Sequence, residues 1–190
     1  MSKARKGSQF ERDFARKLSL WWTSGEDRDV FWRSPNSGGF TTRLNQRGNN
    51  TKEIRTVGDI AAVKPEGDAL VSKTCIELKC GYGDSDLFKE LYSGKSKLHR
   101  FIQQARGQAQ ENNIAQWWLI WKRDRKPPLL CMPTAYFKDN PVYYFSNYTY
   151  NHFYLQGSNT TQTFFAQAVS IVLLDEFLSA ANPKNDLRPL

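Results

Sequence analysis

The most informative segment of the sequence is Thr74-Cys75-Ile76-Glu77-Leu78-Lys79-Cys80. Its apolar and β-branched residues predict a β-strand, in which consecutive side chains point to opposite faces. Glu77 and Lys79 then share one face, whereas Ile76 and Leu78 share the other. We therefore expect a carboxylate and an ammonium group to lie side by side on a strand that is otherwise apolar.

A second acid, Asp59, lies in the preceding strand candidate, residues 56–63. A carboxylate in an apolar strand is costly unless it is paired or binds a metal ion. Residues 64–68 contain Pro and Gly and predict a hairpin turn. We therefore expect residues 56–63 to pair antiparallel with residues 72–80, which brings Asp59 beside Glu77.

Two neighbouring carboxylates on strands suit Mg²⁺, which keeps several waters and often takes a substrate phosphate as a ligand. We expect Asp59 and Glu77 to be the metal ligands, with Mn²⁺ able to substitute. Lys79 would position the attacking water or stabilise charge in the transition state. An acid-x-Lys triplet also arises by chance, as at residues 124–126, so a cross-strand ion pair on a solvated face is the alternative.

The sequence patterns on both sides of this strand predict an α/β fold of the order αβββαβ, with one further strand. Ser8 and Glu11 form a capping box that starts a first helix. A short strand at residues 30–33 leads into a long polar loop. A second helix follows, and its predicted apolar face consists of Leu98, Phe101, Ile102, Ala105 and Ala109. Strands at residues 115–121 and 129–132 follow. The expected architecture is a mixed central sheet flanked by helices.

Composition divides the chain at residue 133 into a core, residues 1–133, and a C-terminal extension, residues 134–190. The extension is rich in aromatic residues, nine of which lie between Tyr136 and Tyr154. Residues 161–181 predict a helix that is apolar on nearly all sides. We expect the extension to pack on the core or in a dimer interface, and base stacking by its tyrosines is the alternative.

The 190 residues carry a net charge of +8, and the charge is uneven. Residues 1–55 hold twelve Lys and Arg against six Asp and Glu, whereas residues 134–190 hold three against four. A basic region of this kind favours a polyanionic partner such as nucleic acid. Three cysteines without metal-ligand spacing and the absence of a long apolar segment predict reduced thiols, no membrane span and a cytoplasmic location.

The motifs resemble the PD-(D/E)xK nuclease superfamily and, within it, the archaeal-type Holliday-junction resolvases. The resemblance covers roughly residues 6–122. It is carried by four segments: Lys6-Gly7-Ser8-Gln9-Phe10-Glu11-Arg12, Arg33-Ser34, Gly58-Asp59-Ile60 and Ile76-Glu77-Leu78-Lys79. Gly58 stands where the superfamily's name has a proline, and the loop before Asp59 is longer than in compact resolvases.

By this resemblance Asp59 and Glu77 would bind metal, Lys79 would be the catalytic lysine, Glu11 an additional acid and Ser34 an active-site loop residue. For Glu11, the capping box is an equally good explanation. Gln104 matches a glutamine that some superfamily members place near the metal, although a glutamine on a helix flank is ordinary.

Basic residues outside the catalytic motif are candidates for phosphate contacts. They are Lys3, Arg5, Lys6, Arg33, Arg43, Arg47, Lys52 and Arg55. The alternative for those in the long loop is a solvated, flexible segment.

The resulting hypothesis is a Mg²⁺-dependent endonuclease that resolves Holliday junctions or other branched DNA as a homodimer, because symmetric cutting of a four-way junction needs two related active sites. A restriction-like or repair endonuclease acting on duplex DNA is one alternative. A DNA-binding protein that keeps the fold without catalysis is another, and a protein-interaction domain with incidental basic charge is a third.

Overall fold

The fold is seen in a computed structural model, which describes residues 3–34, 57–83, 86–92, 96–135, 153–155, 167–181 and 183. The helices are α1 (Lys3–Trp22), α2 (Asp68–Val71), α3 (Leu87–Tyr92), α4 (Lys97–Glu111) and α5 (Leu174–Ala180). The strands are β1 (Phe31–Arg33), β2 (Ile60–Ala62), β3 (Thr74–Cys80), β4 (Gln116–Lys122), β5 (Leu129–Pro133), β6 (Phe153–Leu155) and β7 (Gln167–Leu173). The predicted α/β class and the αβββαβ order are confirmed.

Five strands form the central sheet in the order β3-β4-β5-β7-β6. β3 and β4 run parallel and the other neighbours run antiparallel, so the sheet is mixed, as predicted. β1 and β2 form a separate antiparallel pair. An isolated bridge between Gly58 and Ile76 links this pair to β3. β3 is therefore the strand at which the two sheets meet.

β3, β4 and β5 are buried on both faces, and alternate residues of each strand contact different faces. Ile76 and Leu78 pack with α1, β1 and α5, where Leu18, Phe31 and Phe177 form the centre of one core. On the opposite face, residues of β3, β4 and β5 pack against the apolar side of α4. That side consists of Leu98, Ile102, Ala105 and Ala109, which the sequence predicted. Three layers result, with helices on both sides of the sheet.

The predicted hairpin between the strands of Asp59 and Glu77 is wrong. Residues 65–71 form a 3₁₀ turn followed by the short helix α2, in which Leu70 and Val71 are buried. Because this apolar turn packs into the core, the chain crosses over before β3 begins. The bridge between Gly58 and Ile76 is consequently parallel rather than antiparallel.

The predicted capping box at Ser8 is also wrong. α1 already begins at Lys3, so Ser8 lies inside the helix. Its hydroxyl accepts hydrogen bonds from Nη1 of Arg12 at 3.0 Å and Nη1 of Arg33 at 2.6 Å. Ser8 therefore ties β1 to α1, and capping no longer explains the position of Glu11.

The long apolar helix predicted over residues 161–181 is wrong as well. Gln167–Leu173 is the strand β7, which pairs antiparallel with β5, and the helix α5 covers Leu174–Ala180. Val169 and Ile171 face the α4 side, whereas Val172 faces the α1 side. A strand buried on both faces is apolar at consecutive positions, and this pattern resembles that of a buried helix. The division at residue 133 stays a prediction, and the aromatic residues 136–150 lie outside the described residues.

None of the three cysteines forms a disulfide bond. Burial raises the pKa of the Cys75 thiol to about 12, and it raises that of Cys131 further. Both groups are therefore protonated at neutral pH. None of the helices in the described ranges is long and apolar enough to cross a membrane.

Candidate active site

The site begins on β3, whose alternation places two charged residues on the face covered by α4. Glu77 is buried, with only 3% of its surface exposed. Nζ of Lys79 lies 2.5 Å from its Oε1 atom. The neighbouring positions Ile76 and Leu78 are anchored in the opposite core, which fixes the orientation of the strand. The geometry therefore agrees with the alternation expected from the sequence.

Asp59 is held against the edge of β3 by its backbone and by its side chain. Its backbone N–H donates to the carbonyl oxygen of Ile76 at 2.7 Å. Its Oδ2 atom accepts the backbone N–H of Leu78 at 2.8 Å. Such a close approach requires Gly58, which has a φ of +85° and whose missing Cβ would lie 2.4 Å from the carbonyl oxygen of Ile76.

Helix α4 contributes Gln104, whose amide Nε2 donates to Oε1 of Glu77 at 2.7 Å. The same oxygen also contacts Lys79, so one carboxylate oxygen holds two donors. No hydrogen bond from the described residues reaches Oε2 of Glu77 or Oδ1 of Asp59. One oxygen of each carboxylate is consequently available to a further ligand.

A third carboxylate approaches from α1. Oε2 of Glu11 lies 2.6 Å from Nε of Arg33, so the two side chains form an ion pair. Arg33, expected from the sequence to contact DNA, is thus engaged with Glu11 and Ser8. Ser34, which follows, donates its backbone N–H to the carbonyl oxygen of Asp59 at 2.9 Å. This hydrogen bond holds the backbone of Asp59 next to the end of β1.

The three carboxyl groups influence one another electrostatically. Burial, with the negative charge of Asp59 as a second cause, raises the pKa of Glu77. Burial is also the main cause that raises the pKa values of Asp59 and Glu11, and the charge of Asp59 adds to the effect at Glu11. Lys79 and Arg33 offset only part of this cost. The charged forms of all three carboxyl groups are therefore disfavoured unless a further cation compensates them.

These residues fit a divalent cation of the Mg²⁺ type. Within the described ranges, no three His, Cys, Asp or Glu side chains converge closely enough to hold a metal ion by themselves. Mg²⁺ does not require such a set, since it is usually bound through one or two carboxylates together with waters and substrate phosphate. Oδ1 of Asp59 and Oε2 of Glu77 are the atoms that would hold it. A cation there would also reduce the repulsion between the carboxylates.

Several predicted DNA contacts cannot be placed. Arg43, Arg47, Lys52 and Arg55 lie outside the described residues, as do the side chains of Lys3, Arg5 and Lys6.

Phe101 was predicted only as a core residue of α4, yet Nζ of Lys79 lies 5.6 Å from the centre of its ring. The signal that reveals this position is its spacing from Gln104, because residues three apart on a helix share a face.

Comparison with known proteins gives one match. The chain matches, over residues 2–187, the model of a family described as "Phage putative PDDEXK endonuclease". No curated protein and no solved structure matches the chain. The family match spans nearly the whole sequence and includes the segments that supply Glu11, Asp59, Glu77, Lys79 and Gln104. The chain therefore belongs to this phage PDDEXK endonuclease family.

Proposed function

We propose that this protein is a Mg²⁺-dependent DNA endonuclease that cuts branched DNA, such as a four-way junction, as a homodimer. One observation carries the proposal. Asp59 and Glu77 each have one carboxylate oxygen that accepts no hydrogen bond from the described residues, and Lys79 lies within contact distance of Glu77.

Each residue of the candidate site has a separate role in hydrolysis. When bound, a divalent cation supplies positive charge to the phosphodiester and lowers the pKa of a coordinated water. Asp59 and Glu77 hold it, while Gln104 keeps the Glu77 carboxylate in one orientation. The ammonium group of Lys79 orients the attacking water by hydrogen bonding and stabilises the negative charge that develops on the phosphate oxygens. Products with 5′-phosphate ends are expected from the family resemblance.

Glu11 and Arg33 have a supporting role in this proposal. The ion pair between Glu11 and Arg33 lies near Asp59, and the negative charge of Asp59 contributes to the raised pKa of Glu11. Arg33 can exchange its contact with Glu11 for a phosphate oxygen when DNA enters, because guanidinium groups bind both carboxylates and phosphates well. The proposal of a homodimer rests on geometry alone, since paired cuts across a symmetric junction need two related sites.

A cleavage experiment tests the proposal. A labelled four-way junction, a linear duplex and a single strand of the same sequence are incubated with the protein in Mg²⁺ or in EDTA. We expect paired symmetric cuts in the junction with Mg²⁺ and none with EDTA. Asp59→Asn and Glu77→Gln should abolish cutting, whereas Glu26→Gln, an exposed acid beyond the far end of α1, should not.

Each alternative predicts a different result. Equal cutting of the linear duplex would indicate a restriction-like or repair endonuclease that uses the same residues. Tight binding of DNA without any cutting would indicate a non-catalytic member of the fold. Cleavage by Glu77→Gln at the wild-type rate would show that the assigned site is wrong.

A further inference from the structure

A pair of aromatic rings lies next to the candidate active site. Tyr82 lies two residues after the end of β3 and is 40% exposed, which makes it one of two large apolar side chains that are exposed among the described residues. Its ring centre lies 5.1 Å from that of Phe101, in a tilted arrangement. Phe101 in turn lies against Lys79. Two contacts therefore connect an exposed ring to the proposed catalytic lysine.

The backbone at Tyr82 is strained. Gly81 and Tyr82 have φ values of +101° and +70°. A left-handed conformation costs an L-residue roughly 1–2 kcal/mol, and glycine would adopt it without that cost. For a bulky side chain it is an outlier, and strain of this kind clusters at functional sites. The fold therefore keeps a tyrosine at a position whose backbone conformation favours glycine.

One lysine lies near each ring. Nζ of Lys97, at the start of α4, lies 5.6 Å from the ring centre of Tyr82, and Nζ of Lys79 lies at the same distance from Phe101. A partner that offers a flat apolar face next to negative charge fits this surface. Nucleotides have both features, since a base stacks on an aromatic ring while its phosphate contacts lysine.

We propose that Tyr82 is a stacking platform for an unpaired nucleobase of the strand that is cut. Inside a duplex both faces of a base are already stacked, so the ring can reach only a base that is unstacked, as at a branch point, a flap or a strand end. Consecutive nucleotides are spaced ~3.4 Å along a helical strand, so the base lies within roughly three nucleotides of the scissile phosphate. This inference rests on the proposed function, and it gives that function a source of preference for branched over linear DNA.

Three variants test whether binding depends on the aromatic ring of Tyr82. Tyr82→Phe keeps an aromatic face, Tyr82→Leu removes it at similar size, and Leu20→Ala alters an equally exposed apolar residue on α1. Each protein is bound in EDTA, so that the DNA stays intact, to a four-way junction or a linear duplex. The junction carries the fluorescent base 2-aminopurine beside the branch point. Circular dichroism establishes that every variant is folded.

We expect wild type, Tyr82→Phe and Leu20→Ala to quench the fluorescent base and to bind the junction equally well. Tyr82→Leu should lose the quenching and bind the junction about 5-fold to 150-fold more weakly, because base stacking contributes roughly 1–3 kcal/mol. Its affinity for the linear duplex should be unchanged.

Three results would overturn the inference. Tyr82→Leu could bind the junction as tightly as wild type. Alternatively, its affinity for the junction and its affinity for the linear duplex could fall by the same factor. It could also weaken self-association in sedimentation while its affinity for DNA stays the same, which would assign the ring to a subunit contact. Failure of the proposed function looks different, because the wild-type protein would then cut no DNA in Mg²⁺ whatever the quenching shows.

Discussion

Replacing Gly58 with alanine tests the contact on which the position of Asp59 depends. The φ of +85° at Gly58 costs an alanine roughly 1–2 kcal/mol. The new methyl group would also lie 2.4 Å from the carbonyl oxygen of Ile76, which belongs to the backbone and cannot rotate away. Overpacking of this kind typically costs a further ~1–3 kcal/mol. We therefore expect Gly58→Ala to lower the free energy of unfolding by roughly 2–5 kcal/mol.

Gly25 provides a matched control. Its φ is +93°, yet nothing lies within 4 Å of the position that a Cβ would occupy. Gly25→Ala should therefore show the backbone cost of roughly 1–2 kcal/mol without the clash. Unfolding in urea measures both variants, and cleavage of a labelled junction is measured beside it. Gly58→Ala should also lose cleavage, because relief of the clash moves Asp59 away from β3, whereas Gly25→Ala should retain it. Equal losses of stability in the two variants, with cleavage intact in both, would refute this reasoning.

Three further predictions concern the acids, the core and the glutamine. The raised pKa of Asp59 means that its charge destabilises the metal-free fold at a pH above that pKa. This penalty shrinks as the pH falls through the raised pKa and is lost towards the ordinary value of 3.8. Asp59→Asn should therefore exceed wild type in thermal stability by more at pH 8 than at pH 4 in EDTA, and a constant difference would contradict the assignment. Phe177→Ala should lower the free energy of unfolding in urea by about 3–5 kcal/mol, because it removes a buried ring, whereas Leu20→Ala at an exposed position should lower it by less than ~0.5 kcal/mol. Gln104→Met should raise the Mg²⁺ concentration needed for half-maximal cleavage by about 10-fold to 100-fold, as expected for a partner of a metal ligand, and an unchanged Mg²⁺ requirement would assign Gln104 to packing alone.

The sequence predicted the central part of the fold because local alternation determined it. Glu77 and Lys79 are two residues apart on a strand whose other residues are apolar, so their shared face follows from the period of a strand. The apolar side of α4 follows equally from helical spacing. Gln104 was placed near the site by resemblance, and its contact with Glu77 agrees with that expectation.

The predictions that failed depended on information outside the local pattern. A turn containing Pro and Gly suits a hairpin, but burial of Leu70 and Val71 decides that the chain crosses over instead. Ser8 has the spacing of a capping residue, but the helix extends further towards the N-terminus. The run of apolar residues in β7 is compatible with helix or strand, and only pairing with β5 distinguishes the two.

Tyr82 shows a further limit of the sequence. A tyrosine between two glycines predicts a loop, but neither its positive φ nor its contact with Phe101 can be derived from the pattern. Both depend on the relative position of β3 and α4, which is a property of the assembled sheet.

The attachment of Asp59 to β3 has a consequence for self-association. β3 is the first strand of the central sheet, and an open strand edge offers its peptide groups to any extended chain that approaches, which is a common start of aggregation. Asp59 occupies two of those groups, the carbonyl of Ile76 and the N–H of Leu78. An acid at the edge also repels a foreign strand through its charge. The residue that we expect to bind metal thus protects the protein from edge-to-edge association, and its replacement by alanine would leave the N–H of Leu78 open to a neighbouring molecule.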